Sequence, residues 1–389
     1  MALPPDASAN QEVEAPEPSN PLDGPGESDD AEQADALVIP ADERKLVTQP
    51  YDLGVRSIRE DIRSGRISLN IAYQRKYVWD SGKASRLIES LLLNVPIPVC
   101  YFAEDDEGVY EVIDGLQRLT TIRKFLDDEF ALTGVSVLSE LNGDKFSDLA
   151  PRDQRRLESR TIRCIVITAD SHPDIKFDVF ERLNTGAASL TAQELRNSVY
   201  RGPFNDSLKE LARKRYFTDL VGSFTNKRMG HEELVLRYLA LVDGIDTYRP
   251  PLRQLLNRFM RARRKEPVLP EEATRFALVC ETVGEVFGDR PFRAPGSQNP
   301  VNKALFDAVM VSVAYADRDA LLEHQQVART AFDALAEEER FQLAIGRATA
   351  DRSRVLYRVA ALSARLQEIG VPTRLPAALI EEGLLLRGT

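Results

Sequence analysis

The chain has 389 residues, 43% hydrophobic and 29% charged, a globular composition long enough for two or three domains. No apolar run approaches the ~20 residues of a membrane helix, and the start lacks the basic and apolar stretches of a secretory signal, so neither a membrane nor an exported protein is expected. The formal charge of −10 hides a segregation: residues 1–43 hold twelve of the 61 acids and no Lys or Arg, leaving 49 acids against 51 bases elsewhere. A polyanionic partner is therefore not excluded.

Residues 1–43 are rich in Pro, Ala, Glu, Asp and Ser and contain no aromatic residue. Such a segment buries too little to offset ordering entropy and is expected to be a disordered acidic tail, either solubilising or screening a basic groove. From Tyr51 the pattern is globular. A short helix is expected over Ile58–Ile62, a strand over Ile67–Ile71, then Tyr73-Gln-Arg-Lys-Tyr-Val-Trp-Asp80. The following helix carries Leu87, Ile88, Leu91 and Leu92 on one face and ends before Pro96 and Pro98. Val99–Glu104 and Val109–Ile113 read as a hairpin around Asp105–Gly108.

Asp114-Gly115 breaks the second strand, and a helix with Leu119, Ile122 and Leu126 on one side begins at once. Thr161–Thr168 alternates as a strand, Pro173 opens a helix ending at Asn184-Thr-Gly-Ala187, and Thr191-Ala-Gln-Glu194 fits a capping box. Beyond residue 200 only helical patterns remain, with turns near Pro250-Pro251, Glu266-Pro267 and Arg290–Pro300. Three widely spaced cysteines (Cys100, Cys164, Cys280) point to reduced, buried thiols in the cytoplasm rather than a disulfide scaffold or zinc cluster. The expected layout is an acidic tail (1–43), an α+β domain (44–200) and a helical domain (201–389).

The common catalytic signatures are absent. Ser81-Gly82-Lys83 is followed by Ala84 and makes no P-loop, and His231-Glu232-Glu233 has Val235 where a zinc-protease helix needs its second histidine. Only His172, His231 and His324 exist, none paired as in an HNH nuclease, and there is no GxSxG elbow.

Three constellations carry chemistry. A strand breaking at Gly115 into a helix presents free backbone N–H groups and the positive end of the helix dipole. Beside it Arg118 suits phosphate, Gln117 a water or base, and Asp114 a metal ion, a proton or the helix N-cap. Thr121 lies one turn further along the same polar side. Gln74 and Arg75, among Tyr73, Tyr77 and Trp79, form a second candidate pocket, with the aromatics favoured as core anchors. Arg182, Asn184 and Thr185 crowd a Gly-containing turn that offers donors to a further anion, and Arg196 pairs with Glu194 or with a ligand. Residues 201–265 hold fifteen bases against seven acids, and Arg258, Arg261, Arg263, Arg264 and Lys265 form a candidate phosphate-backbone surface or a solvated helix face.

Together, YQRKYVWD, DGLQRLTT and FERLNTGAASLTAQELRN resemble, in order, the hallmark segments of the N-terminal domain family of GmrSD-type type IV restriction endonucleases. Asn302–Asp307 is similar to a later segment of the same family, so the resemblance covers about residues 45 to 320. It implies a ParB/sulfiredoxin-like small mixed sheet followed by an all-helical domain. It further implies a nucleoside triphosphate, with Mg²⁺, bound without a P-loop at Asp114, Gly115, Gln117 and Arg118, with Arg75, Arg182 and Asn184 lining the same cleft. The implied function is a DNA-sensing component of a bacterial defence system, responding to modified or phage DNA with a nuclease or other effector subunit and cutting nothing itself. Leu116 replaces the first Gln of the family's DGQQR, which weighs against hydrolysis more than against binding, and Ala187 replaces a loop glycine. The alternative is a non-enzymatic ParB-like DNA-binding or adaptor module without nucleotide turnover.

Overall fold

The computed structural model describes residues 44–69, 77–183, 190–222, 229–288, 290–294 and 301–385. Five strands, β1 (Thr48–Gly54), β2 (Ile67–Ser68), β3 (Cys100–Glu104), β4 (Tyr110–Asp114) and β5 (Thr161–Ile167), form one sheet in the order β1-β5-β3-β4-β2. The sheet is mixed: β1–β5 and β3–β4 are antiparallel, β3–β5 and β2–β4 parallel. β3 and β4 are the expected hairpin, and Asp105 Oδ1 accepts from the amides of Glu107 and Val109 to set its turn. β1 was not expected. It has no apolar alternation, its side chains are mostly exposed, and it exists through its ladder with β5, an edge position that tolerates Pro50.

The side-chain alternation of the strands divides two cores. Cys100, Phe102, Tyr110, Val112, Ile162, Cys164 and Val166 face one side. There they pack under α1 (Val55–Arg63), α2 (Ser81–Leu93), α3 (Leu116–Leu126) and α4 (Pro151–Glu158). Ala103, Ile113 and Ile167 face the other side and join a larger core with Phe177 and Phe180 of α5 (Pro173–Leu183) and Leu195 of α6 (Ala192–Val199). Local signals fix the ends: Asp80 caps α2 through the Lys83 amide at 2.7 Å, and Asn94 closes it in the left-handed region.

The rest of the described chain is helical, as expected. α7 (Pro203–Leu211), α8 (Arg215–Val221), α9 (Gly230–Gly244), α10 (Leu252–Arg263) and α11 (Pro270–Phe287) are followed by α12 (Lys303–Tyr315) and α13 (Arg318–Glu323). α14 (Gln325–Glu337), α15 (Glu339–Gly346), α16 (Arg352–Glu368) and α17 (Ala377–Leu385) complete the unit. α12 is buried on every side, from Lys303 to Ala314, among α9, α11, α15 and α16. The whole is α+β, with a small mixed sheet followed by helices. No helix among the described residues is long and apolar enough to cross a membrane.

A helix buried all round must neutralise its polar residues internally. Arg237 of α9 donates Nε and Nη2 to the two oxygens of Asp307 (3.0 and 2.6 Å), and Arg358 of α16 adds Nη2 at 2.7 Å. Nearby, Glu233 meets Lys303 at 3.4 Å and Arg237 at 3.8 Å. Burial pushes the Glu233 carboxyl up, but Lys303, Arg196 and Arg237 outweigh it and hold the group at about 2. Asp307→Ala leaves two buried guanidinium groups without their shared carboxylate and is expected to cost about 3–5 kcal/mol in denaturant unfolding. A loss below about 1 kcal/mol would contradict this assignment.

Candidate functional site

The strand-to-helix turn at Asp114–Arg118 is built around one backbone conformation. Gly115 sits at φ +102°, and a Cβ there would come within 2.5 Å of Cys100 Sγ. Both facts demand glycine. α3 then starts with no side-chain cap, and its first intrahelical bond runs from the Leu119 amide to Gly115 O at 2.9 Å. The amides of Leu116, Gln117 and Arg118 therefore lie ahead of the ladder, at the positive end of the helix. Asp114 does not cap them. Its carboxylate accepts instead from Arg118 Nη2 at 2.5 Å.

Arg118 turns onto its own chain. Nη1 donates to the carbonyls of Pro98 and Val99, so one guanidinium ties the turn after β4 to the segment entering β3. Its side chain is 12% exposed against 43% for Asp114. The half-open group of the motif is thus the carboxylate, and the guanidinium organises it. Arg118, whose type suits phosphate, is here directed to three acceptors of its own chain.

Gln117 and Thr121 join α3 to the preceding segment. Gln117 Oε1 accepts from the Val78 amide at 3.1 Å. Thr121, fully buried, donates to Gln117 O at 2.8 Å and lies 2.8 Å from the Tyr77 hydroxyl. Lys124 stands over the Tyr77 ring, 4.3 Å from its centroid. Trp79 packs against the core beneath α1–α4, the anchoring role expected of it. Gln74 and Arg75 lie outside the described residues, as do Asn184 and Thr185.

Arg182, on the last turn of α5, is 76% exposed and pairs with Asp178 at 2.9 Å. The Thr191–Glu194 capping box is reciprocal, with bonds of 3.2 and 2.6 Å, so Glu194 serves the helix end as expected. Arg196 is buried and donates to Asn257 Oδ1 (2.9 Å) and Gln193 Oε1 (3.1 Å). Of the candidate phosphate-backbone residues, three are engaged within the chain. Arg261 pairs with Asp174 at 2.7 Å, Arg263 makes a two-point pair with Glu272, and Arg264 reaches Asp106 at 3.5 Å. Arg258 and Lys265 are exposed.

Sequence reasoning missed two features. Glu111, buried in β4, accepts from the Ser198 hydroxyl at 2.7 Å and pairs with Arg201, which fastens the sheet to the end of α6. Strand alternation could have flagged it, because a carboxylate inside an apolar run requires a partner. The other is that Cys100 and Cys164, far apart in sequence, are register partners on β3 and β5. Both thiols are reduced and buried, as expected of them singly. The neighbouring Cys164 thiol, helped by the Arg118 guanidinium, brings Cys100 below the ordinary thiol range despite its burial. The proximity of Cys100 and burial push Cys164 up.

The family model described as GmrSD restriction endonuclease, N-terminal domain, matches residues 55–201, from the first residue of α1 to the arginine that holds Glu111. No curated protein matches the chain.

Gly115→Ala is expected to lower stability by about 2–4 kcal/mol, from left-handed strain and overlap with Cys100 Sγ. Adding Cys100→Ala relieves the overlap, so the double variant should lose less than the two single variants together. Strict additivity in denaturant unfolding would contradict the contact.

Proposed function

We propose, from residues 55–201 as a GmrSD-type N-terminal domain, that this chain is the nucleotide-binding component of a restriction-type defence system and works with a nuclease partner on DNA. The family membership carries the coarse statement, a part in restriction-type defence. The observation that supports nucleotide binding is the uncapped start of α3, where Asp114, the residue best placed to cap it, is held on Arg118 instead.

The roles follow from that geometry. The amides of Leu116, Gln117 and Arg118 take a phosphate group of the nucleotide. Arg118 acts as a positioning residue, fixing Asp114 and the turn through Pro98 and Val99. Gln117 couples the phosphate end of α3 to the chain at Val78. Mg²⁺ would enter with the triphosphate and neutralise part of its charge. Leu116 supplies no polar group beside the bound phosphate, so binding is favoured over rapid turnover. The non-enzymatic DNA-binding alternative draws less support, because Arg261, Arg263 and Arg264 are already paired with carboxylates.

The test titrates the full chain with ATP, GTP, CTP and UTP in Mg²⁺, with and without duplex DNA, and follows phosphate release in parallel. At least one nucleotide should bind, and Gln117→Ala, which also gives up the Val78 hydrogen bond, should weaken it about 10-fold, equivalent to ~1.4 kcal/mol, while lowering stability by no more than about 0.5–1.5 kcal/mol. Arg118→Ala should lose both affinity and stability. Absence of binding by all four nucleotides, together with DNA binding that falls steeply with salt, would replace this function with the DNA-binding module.

A further inference from the structure

The sheet register sets two cysteines side by side that no step of the proposed function uses. Cys100 and Cys164 are Cα partners in the parallel β3–β5 ladder, and both side chains point into the core beneath α1–α4. Neighbouring strands lie ~4.8 Å apart, inside the ~4.4–6.8 Å range of Cα separations that a disulfide bridges. Cys164 Sγ itself donates only weakly, to Ile162 O of its own strand at 3.5 Å. The pair is asymmetric, because only Cys100 abuts the Gly115 turn. Cys280, the third thiol, is buried on α11 within the helical core and has no such neighbour among the cysteines.

From this juxtaposition we infer that Cys100 and Cys164 are a reversible disulfide site, with Cys100 the attacking and Cys164 the resolving sulfur. The oxidant is a low-molecular-weight disulfide such as oxidised glutathione. The Cys100 thiolate attacks one of its sulfurs, forming a mixed disulfide and releasing one glutathione thiolate. Cys164 then gives up its proton, and its sulfur attacks the Cys100 sulfur and displaces the second glutathione. Two protein thiols are oxidised to one disulfide, and one glutathione disulfide is reduced to two thiols.

Both sulfurs are fully buried, so the reaction proceeds through local opening and is slow. β1 is the strand to open. It is an edge strand paired only with β5, its side chains are largely exposed, and Tyr51 is the residue opposite Cys164. Closing the bond draws Cys100 Sγ to ~2.05 Å from its partner sulfur. That shifts the sulfur that packs against Gly115. The site therefore links a redox event to the Asp114–Arg118 turn. The expected weakening of nucleotide affinity rests on the proposed function; the disulfide itself does not.

The experiment incubates the full, folded chain with oxidised glutathione, quenches with acid, alkylates under denaturing conditions and reads the intact mass and the peptide map. Two of the three cysteines should escape alkylation, and the map should join the Cys100 and Cys164 peptides. Cys280 should remain alkylatable, and dithiothreitol should restore all three. Cys164→Ser should stop at a single glutathione on Cys100. Three alkylatable thiols after prolonged incubation of folded protein, when the same protein forms the bond after mild denaturation, would overturn the site. A bridge to Cys280, or glutathione retained on wild-type Cys100, would overturn it equally. The mass readout is independent of nucleotide, so a failure of nucleotide binding and a failure of the disulfide are separately visible.

Discussion

One guanidinium group holds the centre of this protein together. Arg118 reaches back to the carbonyls of Pro98 and Val99 and forward to the carboxylate of Asp114, so it joins the start of β3, the end of β4 and the first turn of α3. A charge-assisted, forked donor does this better than any neutral group, because its planar N–H groups serve several acceptors at fixed angles. With Asp114 engaged, the helix start keeps its backbone donors, and with Gly115 in the left-handed region the turn lies tight against Cys100. Removing the arginine would therefore disturb the turn before it disturbed any ligand.

The helical unit follows the same rule on a larger scale. α12 is buried all round, and its acidic residue Asp307 is matched by Arg237 and Arg358 from two other helices. Asn302 caps that helix through the Leu305 amide and also donates to Ile345 O. The Asn302–Asp307 segment thus has a structural role in register and charge balance. The sheet's second face shares one apolar core with the helices, and polar contacts add to it. Tyr200 and Arg261 share Asp174, Arg253 holds Glu181, and Arg264 reaches the acidic β3–β4 turn at Asp106.

Local signals were legible in the sequence because they depend on nearby residues. The β3–β4 hairpin, the helix starting after Gly115 and the capping box at Thr191 each carry their cause within five or six positions. β1 was not legible, since its hydrogen-bond partner lies more than a hundred residues away and its own side chains bear no pattern. The direction of Arg118 was hidden for a related reason. Its type suited phosphate, but its carbonyl partners sit twenty and nineteen positions earlier, in a segment that reads as a helix stop and the start of a strand. The basic run at Arg258–Lys265 looked like a surface because its carboxylate partners, Asp174, Glu272 and Asp106, come from other elements. The cysteine spacing likewise concealed a pair that only the sheet register brings together.

In the proposed function a nucleotide's phosphate rests on the backbone amides at the start of α3. Residue-resolved amide hydrogen exchange, with and without a saturating nucleoside triphosphate and Mg²⁺, tests it most directly. Exchange at Leu116, Gln117 and Arg118 should slow at least about 10-fold on binding, the effect of one ~1.4 kcal/mol interaction. Nucleotide that binds while these three amides exchange unchanged would contradict it.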